Sequence, residues 1–193
     1  MDFLIDQIED LSTAYPPHML NEFKLTPSDV KSYLHRLAKH VTSVIDIYKS
    51  IRYVELYDIS PDISTNMSLY SDVLNHDYSK FFIEDLIGQV WINKHYQENL
   101  EYPSDTIKQL ADDAWTHHFS LENHHPQYWS INGGVDKMPD YAIVHMLCDW
   151  EAMSRELGGS TKDFLKKQMD TNKLFSGFTQ DQILLMEKLS NIF

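Results

Sequence analysis

Apolar positions recur along most of this chain at the three- and four-residue intervals of an amphipathic helix. The clearest stripe runs through Val30, Leu34, Leu37, Val41, Val44 and Ile45. It follows T-P-S-D, a good helix start, with Thr26 as the cap, Pro27 at the first helical position and Asp29 in the first turn. Ser68 to Asn75 reads as a short helix or as the lead-in to N-H-D. Phe81 to Tyr96 reads as a helix with Phe82, Leu86, Val90 and Trp91 inward, and another starts near Ser104. Pro139 to Leu157 is a strong amphipathic helix stopped by Gly158-Gly159. Thr161 to Met169 is a further helix, and the tail from Thr179 has a capping-type start. Residues 51–60 are less regular, and P-D-I-S-T-N from Pro61 reads as a loop. Pro126 and Gly133-Gly134 are breaks. No run alternates as a strand does. The expectation is an all-α fold of about six to eight helices. The length suits one domain over 1–193, with a core over about 26–170 and a helical extension over 171–193.

Composition narrows the setting. Hydrophobic residues make up 42% of the chain, enough for a core, yet no stretch approaches the roughly 18 apolar residues of a membrane span. The first ten residues, M-D-F-L-I-D-Q-I-E-D, are acidic and lack the basic start of a signal peptide. A single cysteine, Cys148, excludes an internal disulfide framework and fits a reducing compartment, so a cytoplasmic protein is expected. The net charge of −13 repels a nucleic-acid backbone, and no concentrated basic patch offsets it. No membrane or nucleic-acid partner is expected, and the oligomeric state is left open.

Histidine changes the picture. There are ten, and they cluster: His35 with His40, His76 beside Asp77, His117 with His118, His124 with His125. Imidazole mixed with carboxylate is the donor set of a borderline transition metal. His145 and Asp149 are four apart, hence on one helix face, amid Ile143, Met146, Leu147 and Trp150. An aspartate there is costly unless paired or metal-bound. Singly, His40 is an ordinary boundary histidine, His76-Asp77 an ordinary turn and Asp149 an ordinary salt-bridge partner. Together, His40, His76-Asp77 and Asp149 offer two imidazoles and two carboxylates from separate segments, suited to Mn, Fe, Co, Ni or Zn. His117 and His124, or His118 and His125, are seven apart, about two helical turns, and share a face if the helix continues past them. His118 is the first choice for a second ion, since Ala111, Ala114 and Trp115 place it inward; His124 and His125 follow. Cys148 has no basic partner set by spacing and reads as a buried thiol. His18, His35 and His95 read as surface or boundary residues.

At these residues the chain resembles the HD superfamily of metal-dependent phosphohydrolases, whose pattern is H…HD…D on a helical fold. His40, His76, Asp77 and Asp149 stand in that order. H-D-Y-S-K from His76 is similar to the family's H-D-x-G-K, with Ser79 in place of glycine. The match is closer to a poorly characterised HD-like family of bacteria and phages. That family shows H-D-x-S-K-F, then A-W followed by clustered histidines, then M-L-x-D-W-x-A-M; here these begin at His76, Ala114 and Met146. One departure is His145, where glutamate is expected.

The resemblance implies an HD-like helical bundle holding one or two divalent ions, with His40, His76, Asp77 and Asp149 as ligands and His118, His124 and His125 as candidates for a second ion. It implies hydrolysis of a small phosphorylated, nucleotide-like substrate by a metal-activated water. Asp77 would also orient that water, and Lys80 would face the phosphate. His117 or His125 would supply the proton to the leaving group, and Lys80, His117 and His145 would be the substrate contacts. Two rivals share the ligand set: a di-iron oxygenase of HD type, and a non-catalytic metal- or nucleotide-binding regulatory module.

Overall fold

The computed structural model describes Leu11 and residues 13–193. The acidic start read above as lacking a signal peptide, residues 1–10, lies outside the described residues. The chain is all-α. Among the described residues it has eleven bounded α-helices and no strand: α1 Pro17–Glu22, α2 Pro27–Ile51, α3 Glu55–Ile59, α4 Pro61–Ser64, α5 Met67–Leu74, α6 Leu86–Glu98, α7 Asp105–Leu121, α8 Pro126–Ile131, α9 Asp140–Leu157, α10 Thr161–Thr171 and α11 Gln180–Ser190. No helix among the described residues is long and apolar enough to cross a membrane. The helices form two compact units. The first takes the chain up to Lys39 with Asp77–Leu121, and the second takes His40–His76 with Glu122–Phe193.

In the first unit, α6 and α7 pack closely. A Cβ on Gly88 would collide with the Leu110 carbonyl oxygen and sit 2.8 Å from Ala114 Cβ, so only glycine allows this approach. α7 turns Ile107, Ala111, Ala114 and His118 inward at helical spacing. Trp115 is half-exposed, so the inward face does not include it. The start of α2 has the expected cap: Asp29 N–H donates to Thr26 Oγ1, and Asp29 Oδ2 accepts from the Thr26 N–H and hydroxyl. Lys94 of α6 pairs with Asp29, Asn93 accepts from Arg36 at 3.1 Å, and the Trp91 indole donates to the Phe23 carbonyl at 2.8 Å.

Two expectations about this region are corrected. The helix read from Phe81 begins only at Leu86. Asp77 takes a left-handed conformation (φ 57°, ψ 24°), a short 3-10 turn spans Tyr78–Phe81, and Phe82 is extended, which interrupts the helical hydrogen-bond ladder. Leu86, Val90 and Trp91 are buried on α6 as expected, while Phe82 lies outside it. The second correction is the seven-residue argument for the histidine pairs. α7 ends at Leu121, so His124 and His125 are not two turns farther along the same helix.

In the second unit, α9 is the buried centre. Ala142 through Asp149, Glu151 and Ala152 are all buried, and α9 packs against α5, α10 and α11. Val44, Ile47 and Tyr48, together with Leu69, Val73, Met146, Leu147, Leu165 and Met186, form its core. Gly158 ends α9 in the left-handed conformation. The buried Glu151 carboxylate accepts from Arg155 Nε and Thr161 Oγ1, each at 2.7 Å, which ties the end of α9 to the start of α10. Thr179 and Gln182 form a capping box at α11, and Gln182 Nε2 donates to the Met138 carbonyl at 2.7 Å. The irregular stretch and loop expected over 51–66 contain two short helices, α3 and α4, the latter capped by Ser60. Helices of five and four residues, like the six-residue α1 and α8, complete too few turns to leave a hydrophobic period, which is why the expected helix count falls short.

Candidate metal centre

Three candidate ligands of the second unit meet at one point. His40 is near the middle of α2, beside Val41 and Val44. His76 follows α5 and Asn75, and Asp149 sits on α9. His40 Nε2 lies 3.0 Å from Asp149 Oδ1 and 3.1 Å from His76 Nε2, and His76 Nε2 lies 3.6 Å from the same Asp149 oxygen. All three residues are buried, His76 to within 1% of full burial. Ligand atoms about 2.0–2.2 Å from an ion stand roughly 2.8–3.1 Å apart at neighbouring corners of an octahedron and roughly 3.3–3.6 Å apart in a tetrahedron, so a triangle with edges of 3.0, 3.1 and 3.6 Å has the size of one face of a metal shell. Two imidazole nitrogens and a carboxylate oxygen are metal-binding donors that do not indicate which ion. The buried His/Asp group can hold a metal ion.

A second set of imidazoles abuts the first within this unit. His76 Nδ1 lies 2.9 Å from His145 Nε2, with the two rings edge-on at 64°. The His124 ring centroid lies 4.7 Å from that of His76 and 4.4 Å from that of His145, and the ligand atoms of all three lie within 4.8 Å of one another. His124 is fully buried, with Glu122 Oε2 3.7 Å from its Nδ1. The half-buried His125 ring lies 4.1 Å from that of His124. His145, the departure from the expected glutamate, is 1% exposed and sits one helical turn before Asp149.

The remaining candidates belong to the first unit. Asp77 is buried, and its left-handed backbone carries the chain into the Tyr78–Phe81 turn, where Lys80 N–H donates to the Asp77 carbonyl at 2.9 Å. Aspartate tolerates that conformation better than most residues. Lys80 Nζ returns to Asp77 Oδ2 at 2.7 Å, an ion pair in which the carboxylate is buried and the ammonium is partly exposed. The Tyr33 hydroxyl donates to the Lys80 carbonyl at 3.3 Å. Burial, and then the nearby Asp77 carboxylate, hold that phenol well above the usual tyrosine range, so it stays a donor. Ser79 Oγ lies 2.8 Å from His118 Nδ1, and His118 Nε2 lies 3.5 Å from Asp77 Oδ1. His117 faces elsewhere. Its Nδ1 pairs with Asp85 Oδ2 at 2.5 Å, it packs on Phe82, and its side chain is 39% exposed.

Cys148 is fully buried, as the sequence implied. Burial, and then the adjacent Asp149 and Glu151 carboxylates, push its thiol far up, which makes it a poor nucleophile. His18 and His35 are exposed, and the half-buried His95 has its Nδ1 2.8 Å from the Leu100 carbonyl.

Sequence inspection missed three partners: His145 for His76, Ser79 for His118 and Asp85 for His117. Their separations of 69, 39 and 32 residues leave no local spacing to read.

No curated protein and no solved structure gives a significant match. A family model does match, over residues 29–192 and thus across the whole run from α2 to α11, and by that match the chain belongs to DUF5662, a family of unknown function.

Proposed function

We propose that this protein is a metal-dependent phosphohydrolase of HD type acting on a small phosphorylated, nucleotide-like substrate. The observation that carries the proposal is the meeting of His40 Nε2, His76 Nε2 and Asp149 Oδ1 at 3.0–3.6 Å in a buried position. The order H…HD…D supplies the rest. Asp77 is bonded directly to His76, and the pattern makes it the fourth ligand. A divalent ion in such a set supplies Lewis acidity and makes hydroxide available from water near neutral pH.

The chain's own groups then have separable tasks. Lys80 pairs with Asp77 Oδ2 and offers positive charge to phosphate oxygens. Asp85 accepts from His117 Nδ1, which leaves Nε2 of this partly exposed ring to serve as the proton donor for the leaving oxygen. The nucleotide-like substrate class rests on the resemblance alone.

A second reading draws on the His76–His124–His145 cluster, which enlarges the imidazole set as a dinuclear centre requires and so supports a di-iron oxygenase. One series of measurements separates the two. Elemental analysis of aerobically and anaerobically purified protein is followed by a phosphatase screen over nucleotides with Mn, Co, Fe, Ni and Mg, using Asp149→Asn as the control. Hydrolysis that needs added metal and is lost in Asp149→Asn is the expected result. A mixed-valent di-iron signal with O₂ uptake overturns the hydrolase, and protein that binds no metal overturns both.

A further inference from the structure

An imidazole that ligates an ion through one nitrogen uses the other to hold its orientation, and the partner on that other nitrogen fixes the tautomer. His76 has both nitrogens assigned by contact. Nε2 faces His40 Nε2 and Asp149 Oδ1, and Nδ1 faces His145 Nε2 at 2.9 Å, a hydrogen-bond length. A neutral imidazole carries one N–H. With the Nε2 lone pair turned toward an ion, the hydrogen of His76 is on Nδ1 and must be donated to His145 Nε2. His145 is then an acceptor there and carries its own hydrogen on Nδ1.

We propose that His145 is a positioning residue: it accepts the His76 Nδ1–H and so presents His76 Nε2, unprotonated and correctly aimed, to a metal ion. The proposal rests on the metal-site reading of His40, His76 and Asp149. One helix then performs two tasks. α9 provides a carboxylate ligand at Asp149 and, one turn earlier on the same face, the group that orients another ligand. The acceptor is neutral. A carboxylate at this position would accept the same hydrogen while adding a negative charge beside Asp149; histidine holds the ring without that charge.

The test uses the whole chain with Zn(II) and Co(II) as probes. Metal affinity by chelator competition, metal stoichiometry and the Co(II) visible spectrum are measured for wild type, His145→Gln, His145→Leu and Asp149→Asn. Glutamine places an acceptor close to the position of Nε2; leucine places none. Expected are affinity and Co(II) bands in His145→Gln close to wild type, and a roughly 10–100-fold loss of affinity with shifted bands in His145→Leu. Long-range ¹⁵N–¹H spectra of the Zn(II)-loaded wild type test the proposal even if leucine prevents folding: His76 must carry its proton on Nδ1. A proton on His76 Nε2, or wild-type affinity and bands in His145→Leu, overturns the positioning role. So does loss of one whole equivalent of metal in both His145 variants, which makes His145 a ligand of a second ion with His76 and His124. If wild type itself binds neither ion, or Asp149→Asn binds both as wild type does, the metal-site reading fails instead.

Discussion

Replacing Asp149 with asparagine keeps the shape of a buried side chain and removes its charge from between two imidazoles. Two consequences separate cleanly. Without metal, the amide introduced by Asp149→Asn still meets His40 Nε2 and His76 Nε2 at the 3.0 and 3.6 Å positions of the carboxylate oxygen. A hydrogen bond is retained, and the cost to metal-free stability is about 1–3 kcal/mol, that of weakening a charged buried pair. With metal, the comparison is larger in relative terms. An ion held at 100 times its Kd stabilises the folded chain by about 2.7 kcal/mol, and for a chain of this length that raises Tm by roughly 5–11 °C. Losing an anionic ligand weakens affinity by at least the ~100-fold that marks the upper end for losing a ligand's outer partner. The same metal concentration then equals the variant's Kd, and the stabilisation drops to about 0.4 kcal/mol, a shift of roughly 1–2 °C. Thermal unfolding of both proteins in chelator and across a Zn(II) or Mn(II) series measures both quantities. Equal metal-induced shifts in wild type and Asp149→Asn refute the assignment of Asp149 as a ligand, whatever happens to the metal-free protein.

Other outcomes follow from single features of the two units. Asp77 in the left-handed region disfavours a plain Cβ, so metal-free Asp77→Gly is expected to be more stable than Asp77→Ala by about 1 kcal/mol in urea unfolding; the reverse order contradicts that backbone conformation. Gly88→Ala drives a methyl into the Leu110 carbonyl and should cost about 1–3 kcal/mol or more, seen as a lower denaturation midpoint. Cys148, buried and with its thiol pushed up, is expected to react with a thiol reagent at pH 8 only as fast as the protein opens, so labelling as rapid as that of a free thiol refutes its burial. Burial raises the Asp29 carboxyl, but hydrogen bonds from Lys94 and Thr26 outweigh this and leave it below the usual carboxylate range. A depressed folded pKa adds stability that is fully present above the unfolded value near 4 and is lost as pH falls through the folded value. Asp29→Asn should therefore flatten the acid limb of stability against pH by under about 1 kcal/mol, the pair being partly exposed; an unchanged acid limb removes Asp29 from the account.

The long helices were legible because they repeat their signal. α2 shows its stripe across more than about four turns and opens on a complete cap, and α9 ends on a glycine that takes the expected left-handed conformation. α3 and α4 were not legible, since four or five residues cannot display a period. The start of α6 was misplaced for a different reason: Phe82, Leu86 and Val90 have helical spacing, but Asp77, a residue with ordinary turn chemistry, adopts φ 57° and sends the chain through a 3-10 turn first. The same division runs through the site. His40, His76 and Asp149 could be picked out because imidazole and inward carboxylate are rare residue types whose order along the chain carries information, and the structure brings them within 3.6 Å. Their partners are ordinary in type and distant in sequence. Ser79 looked like a substitution for glycine, yet its hydroxyl meets His118 Nδ1; Asp85, which no motif marks, holds His117. His145 is the instructive case. Its spacing from Asp149 placed both on one face of α9, and burial of that face follows from the apolar residues around it. Its contact with His76, however, is decided by which ring nitrogen faces which neighbour across 69 residues. A ligand can be read from residue type and order, whereas the group that orients a ligand is fixed by packing direction, and packing direction enters only when helices that are remote in sequence are brought together.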